Sequence, residues 1–145
     1  PAYLANHRSR SEINHRAKAL MEQVGITELA DNDITQASGG QLQRVGICRA
    51  LINEPEIVFG DEPTGALNSS SAAEIMELLA DINRAGTTVL LVTHDPKIAA
   101  RTERVLFMLD GKIVAEKHLG KYSGNGADSK TREESLSSWL LGKGF

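Results

Sequence analysis

Two acidic residues in succession, Asp61 and Glu62, follow the apolar run Ile57-Val58-Phe59-Gly60, and His94 follows a second apolar run, Thr88-Val89-Leu90-Leu91-Val92-Thr93. Neighbouring side chains on an extended chain point to opposite sides, so the two carboxylates can take different tasks. One can hold a hard divalent ion such as Mg²⁺ that bridges phosphate oxygens, and the other can orient or deprotonate a water. The alternative is an acidic loop that caps the following turn with Pro63. His94 can donate to a phosphate oxygen or position the same water, because a charged imidazole donates from either ring nitrogen. A structural histidine is the plainer reading of that residue. His7, His15 and His118 show no ligand spacing.

A third constellation is Ser38-Gly39-Gly40-Gln41. A hydroxyl in the cap position followed by two glycines leaves backbone N–H groups pointing out of a helix start, which is an anion site by construction. Ser38 and Gln41 can equally form a capping box with Ala37 and Leu42 as its staple, with no ligand at all. Two glycines in the first turn weigh toward a ligand, since each costs ~1 kcal/mol of helix propensity relative to alanine.

The elements that must position these residues are legible from periodicity. Ile13, Ala17, Leu20, Met21 and Val24 recur at helical spacing from Ser11 onward, with Gly25 as the stop. Arg8, Arg10, His15, Arg16 and Lys18 read as the solvated face of that helix. A helix from Ser38 carries Leu42, Val45, Ile47, Cys48, Leu51 and Ile52 until Pro55 ends it. Ile57–Phe59 and Thr88–Val92 lack polar alternation, as strands buried on both faces do. Between them, Ser71 and Glu74 suggest a capping box for a helix bearing Ile75, Leu78, Leu79 and Ile82 and closed by Gly86. Strand, crossover helix and strand make a parallel unit, which brings Asp61, Glu62 and His94 to the carboxyl edge where ligands bind in such sheets. Asp95 and Pro96 cap a further helix, and Asp110-Gly111 turns an antiparallel hairpin that completes the sheet. After Lys117, the residues Gly120, Ser123, Gly124, Asn125 and Gly126 read as a flexible linker. Thr131 and Glu134 then cap a short appended helix carrying Leu136, Trp139 and Leu140.

Composition sets the bounds. The chain has 145 residues, of which 41% are hydrophobic and 24% charged, ordinary for one globular domain. Sixteen basic against nineteen acidic side chains give a net charge of −3, against the basic excess of a nucleic-acid surface. The single cysteine, Cys48, has no partner in the chain and fits a reducing compartment. The longest apolar runs fall far short of the ~20 residues a membrane helix needs. No Gly-x-x-x-x-Gly-Lys-Ser/Thr occurs, for Gly60 to Gly65 keeps the glycine spacing but continues Ala66-Leu67. Cys-x-x-Cys, His-Glu-x-x-His and Gly-x-Ser-x-Gly are also absent from the sequence. A chain that opens on Pro1 without a signal segment reads as part of a longer polypeptide, whose earlier strands would cover an otherwise bare apolar sheet face.

Ala37-Ser38-Gly39-Gly40-Gln41-Leu42-Gln43-Arg44-Val45, then Ile57 to Asn68, then Val92-Thr93-His94-Asp95 together resemble the ATP-binding subunit of ABC transporters, up to about Lys117. The resemblance implies the C-terminal part of a P-loop NTPase-like α/β domain, with parallel strands and crossover helices plus a remnant of the helical subdomain. Residues 1–35 would belong to that subdomain, 36–118 to the ATPase core, and 119–145 to a linker and C-terminal helix. It implies Ser38 to Gln41 as the signature loop, Asp61 as the Walker B metal carboxylate and Glu62 as the catalytic base. Gly65 to Asn68 would be the D-loop and His94 the switch histidine. ATP and Mg²⁺ would be bound in a head-to-tail dimer with a second ATP-binding subunit, beside a transmembrane permease and with no nucleic acid. The location implied is cytoplasmic, peripheral on the inner face of the cell membrane.

The Asp-Glu-Pro-Thr-Gly-Ala-Leu stretch and the tail are most similar to the exporter branch handling antimicrobial peptides, macrolides or lipoproteins. Three features depart from the family pattern. Ala37 stands for the usual signature leucine, Asn68 for the usual D-loop aspartate, and the P-loop and Q-loop glutamine do not occur in this sequence. Chromosome-maintenance and repair ATPases share these motifs, but their heads follow long coiled coils, and only one short amphipathic helix precedes Ser38. Ribosome-associated ABC proteins would show a basic surface and a tandem second cassette.

Overall fold

The computed structural model describes residues 9–31, 34–124 and 126–144. Arg8, expected on the first helix, and Asn125 of the expected linker lie outside them. The chain divides into two compact units, Pro1–Val92 and Thr93–Phe145.

In the first unit, helix α1 (Arg10–Gln23) begins directly after Ser9, where a capping box sets its start. Ser9 Oγ accepts from the Glu12 N–H at 3.2 Å while the Ser9 N–H donates to the Glu12 carboxylate at 2.7 Å. The expected start at Ser11 is therefore slightly late. Gly25, at φ 70, ends the helix in a Schellman turn: the Ile26 N–H reaches the Met21 carbonyl at 2.9 Å and the Gly25 N–H that of Glu22 at 3.1 Å. Ile26 and Val24 are buried there. Helix α2 (Gly39–Leu51) follows, and α1 packs against it. Ile47, Leu51 and Ile52 are buried, whereas Leu42, read as part of the same apolar stripe, stays largely exposed.

Strands β1 (Ile57–Asp61) and β2 (Thr88–Val92) pair in parallel, Asp61 opposite Val92, through helix α3 (Ser69–Arg84). The expected Ser71–Glu74 box does not start α3. Asn68 is the cap instead, its Oδ1 accepting from the Ser71 N–H at 2.9 Å, because an Asx side chain reaches the N3 amide from one turn earlier. Ile75, Met76, Leu78, Leu79 and Ile82 are buried on α3, and β2 packs against that helix. The strands are not buried on both faces as their composition suggests. Ile57, Phe59, Leu90 and Val92 remain exposed, Phe59 by 70%, on the face expected from the sequence to need a cover.

In the second unit, the short helix α4 (Pro96–Ala99) leads to strands β3 (Arg104–Leu109) and β4 (Lys112–His118), which pair antiparallel. Asp110 and Gly111 both take positive φ, 48 and 74, as a two-residue hairpin turn requires. Among the described residues this hairpin is a separate two-stranded sheet, not the antiparallel end of the first one. Helix α5 (Gly126–Leu141) corrects the reading of the tail as an appendage. Leu136 and Leu140 bury with Ala100, and Val105, Phe107, Leu119 and Trp139 pack around them, Phe107 and Trp139 edge to face at 6.4 Å. Thr131 lies inside this helix, its hydroxyl donating back to the Ala127 carbonyl at 3.1 Å, so the Thr131–Glu134 cap is not formed.

Candidate functional site

The carboxyl edge of β1 is a strained turn. Glu62 sits at φ 44, in the left-handed region that disfavours a side chain, and is held there from both sides. Its N–H donates to the Val92 carbonyl at 2.9 Å, and its own carbonyl accepts from the Gly65 N–H at 3.1 Å. Pro63 is buried in that turn. Gly60, just before it, packs closely on its neighbour: a Cβ there would stand 2.9 Å from Leu91 Cδ2, and the leucine side chain would have to move. Asp61, in register with Val92, is exposed on the opposite side of the strand from Gly60's packed face. Among the described residues no three His, Cys, Asp or Glu side chains gather as a metal cage. Asp61 is a single exposed carboxylate at this edge, so a hard divalent ion held there would have to take most of its ligands from phosphate oxygens and water.

The start of α2 shows that both readings of Ser38–Gln41 describe one structure. The capping box is complete, with Gln41 N–H to Ser38 Oγ at 3.3 Å and Ser38 N–H to Gln41 Oε1 at 2.8 Å. A helix start has four N–H groups without intrahelical acceptors, and this box uses those of Ser38 and Gln41, which leaves those of Gly39 and Gly40. Ser38 Oγ accepts in the box, so its own proton can still be donated outward. The Gln41 side chain is committed locally: besides the box, Nε2 donates to Glu28 Oε1 at 3.1 Å. A Cβ on Gly39 would meet Leu67 Cδ2 at 3.6 Å, and one on Gly40 would meet Ser71 Cβ at 3.7 Å. The 65–68 loop and the first turn of α3 therefore lie directly beside the amide-rich turn. Asn68 itself is spent as the cap of α3. His94 is the second residue after β2, exposed, and belongs to the second unit.

Two arginines that sequence patterning left unassigned, or assigned to solvent, hold this frame. Arg16 donates from Nε to the Ile52 carbonyl at 2.7 Å and from Nη2 to that of Leu51 at 3.0 Å, and pairs with Glu54 at 2.7 Å. It closes the carboxyl end of α2, where a cation complements the helix dipole. Arg44 ties three helices, donating to the Val24 carbonyl at 2.6 Å and to Glu74 Oε2 at 2.7 Å. The signal available for Arg16 was its place one helical turn before the buried Leu20, on the half-buried side of α1. Cys48 is free and half-buried, and burial pushes its thiol pKa up, away from nucleophilic use.

The family profile described as ABC transporter matches residues 3–65, a stretch that includes Ser38–Gln41, Asp61 and Glu62. The chain belongs to the ABC transporter family. It is 51% identical over 102 residues to the probable syringafactin export ATP-binding/permease protein SyfD of Pseudomonas syringae pv. syringae, covering 70% of this chain and 16% of that protein. With the macrolide export ATP-binding/permease protein MacB of Hahella chejuensis it shares 39% identity over 140 residues, covering 91% of this chain and 21% of that one. The chain thus spans only about a sixth to a fifth of the length of the curated relatives it matches. Among solved structures, the ATP-binding cassette MJ0796, a dimer in a post-hydrolysis state bound to ADP and Pi, superposes with a TM-score of 0.68 at 38% identity, covering 79% of this chain and 50% of that one. A second cassette, MJ1267 in its ADP conformation, gives a TM-score of 0.73 at 23% identity over 97% of this chain and 54% of that one, a likeness of fold alone. The α/β architecture is therefore that of the ABC ATP-binding cassettes. Among the described residues no helix is long and apolar enough to cross a membrane.

Proposed function

We propose that this chain carries the signature, Walker B, D-loop and switch-histidine part of an ATP-hydrolysing subunit that powers a membrane exporter. The observation that carries the reading is Glu62, a side chain held at φ 44 at the carboxyl end of parallel strands. Such strain costs ~1–2 kcal/mol and persists where a function needs the geometry. In this reading Glu62 takes the proton of the water that attacks the γ-phosphorus, and ADP leaves as inorganic phosphate forms. Asp61 would hold Mg²⁺, whose charge offsets that of the phosphates. His94 donates to a phosphate oxygen. The Ser38 hydroxyl and the N–H groups of Gly39 and Gly40 donate to the terminal phosphate of a nucleotide held by a second ATP-binding subunit, in a head-to-tail dimer. Gln41 and Asn68 take supporting parts, since their side chains form the caps of α2 and α3. Loss of the terminal phosphate removes the charge these amides stabilise, so closing and opening can drive a transmembrane permease from the inner face of the membrane.

Residues 36–118 form the core segment of this reading, 1–35 its helical subdomain and 119–145 a linker with the C-terminal helix. In the protein that joins this chain to a P-loop, Glu62→Gln is expected to keep nucleotide binding, lower steady-state hydrolysis by about 10²-fold or more and prolong the ATP-bound dimer. Undiminished hydrolysis in that variant refutes the role. The 145 residues contain no P-loop motif, so by themselves they are expected to bind ATP weakly and not turn it over. Micromolar affinity by calorimetry would overturn that expectation.

A further inference from the structure

We propose that Arg132 positions His94, acting through α4 from the opposite end of that helix. The proposal rests on the role given above to His94. Helix α4 has only four residues, Pro96–Ala99, and a helix that short has no stability of its own, so whatever holds its ends decides where its flanking residues stand. At its amino end, the Asp95 N–H donates to Thr93 Oγ1 at 3.1 Å and Asp95 Oδ1 accepts from the Lys97 N–H at 2.8 Å. His94 is thereby bracketed by two residues tied to the helix start.

The carboxyl end is held by two side chains: the Thr102 hydroxyl donates to the Ala99 carbonyl at 2.8 Å, and Arg132 ties the residues just beyond it to the rest of the unit. Arg132 is 7% exposed, the one buried charged residue among those described. Its Nε donates to the Ala100 carbonyl at 2.8 Å and its Nη2 to that of Thr102 at 2.7 Å, the residues that close α4. The rest of the fork grips the segment after β4: Nη1 reaches the Leu119 carbonyl at 2.8 Å and that of Lys121 at 3.5 Å, and Nη2 that of Gly120 at 3.0 Å. The Tyr122 ring lies 5.5 Å from the guanidinium of Arg132 and equally from that of Arg101. A planar fork with donors at fixed angles specifies a position, and a cation favours the carboxyl end of a helix. Lysine would keep the charge but could not span these carbonyls in one plane. Ile98 and Ala100 are buried beside this grip, so α4 has little freedom to slide except by releasing it.

The test is made on the 145-residue chain with labelled histidine, without nucleotide, by comparing Arg132→Lys and Arg132→Gln with the parent. The readouts are the His94 imidazole signals, hydrogen exchange at the Ala100 and Thr102 amides, and the Gly111 amide as a reference in the hairpin turn. We expect exchange at Ala100 and Thr102 to rise about tenfold or more in Arg132→Lys, with the His94 signals shifted or broadened and Gly111 unmoved. Unchanged His94 signals despite faster exchange would overturn the proposal, as would unchanged exchange. Collapse of His94 and Gly111 together in both variants would also overturn it, since Arg132 would then be purely structural. Because nothing here depends on hydrolysis, a failure of His94 in turnover would leave this result intact and be told apart from it.

Discussion

Helix α3 and helix α5 do similar jobs with different chemistry. In the first unit the buried face of α3 is apolar throughout, Ile75, Met76, Leu78, Leu79 and Ile82. In the second, α5 buries Leu136 and Leu140 but adds the guanidinium of Arg132 to the same seam. The difference follows from what each helix covers. The strands beside α3 pair with each other in a regular parallel ladder, and the helix covers them with apolar surface. The segments beside α5 include the end of α4 and the irregular stretch 119–121, whose carbonyls have no ladder to join and would be costly to bury unpaired.

The largest expected effect sharpens this contrast. Ile75 is fully buried, and Ile75→Ala should destabilise the first unit by about 4 kcal/mol through the cavity it leaves. Arg132→Met should destabilise the second by about 3 kcal/mol, not by a cavity but by leaving several carbonyls without donors. Hydrogen exchange resolved by peptide checks both, and a similar loss spread over both units in either variant would break the comparison. A smaller effect is expected at the strained turn. Glu62→Gly should stabilise the first unit by about 0.5 kcal/mol, the relief of left-handed strain less the extra freedom of glycine when unfolded. A denaturation midpoint below the parent's would show that the turn stores no strain.

The smallest effect concerns acid. The hydrogen bond from Arg104 lowers the pKa of Glu116, with the charges of Arg104 and His118 adding to it, and those from Ser123 lower that of Asp128. A depressed folded pKa contributes stability that is present above the unfolded value and lost as pH falls through the folded one. The second unit should therefore weaken slightly on acidification below the ordinary carboxylate range. Arg104→Gln should flatten that acid limb, and an unchanged acid limb would deny the Arg104–Glu116 pair any part in stability. Glu116 is exposed and Asp128 partly so, and solvent screening at both keeps the effect small.

Much of this was legible in residue order. The helix stops at Gly25 and Gly86, the Asp95-Pro96 start and the Asp110-Gly111 turn are local chemistry, and each stands where the sequence places it. The caps of α3 and α5 were less so. Ser71–Glu74 and Thr131–Glu134 carry the pattern of a capping box, but Asn68 is the better-placed acceptor one turn earlier, and α5 already begins at Gly126. Arg132, Leu136 and Leu140 are spaced four apart and share a helix face, which was the available hint that this arginine points inward.

The sequence by itself determined the family, the order of elements and the candidate chemistry of Ser38–Gln41, Asp61, Glu62 and His94, because caps, turns and periodicity are short-range effects of residue type. Only the tertiary structure decided which face of β1 and β2 is covered, that Glu62 is wound into a left-handed turn by the Val92 carbonyl, and that Arg16, Arg44 and Arg132 serve backbone carbonyls instead of water. The physical reason is that a long cationic side chain has the same local preferences on either side of a helix. Its partner is chosen by whichever unpaired carbonyl the rest of the chain brings within about 3 Å.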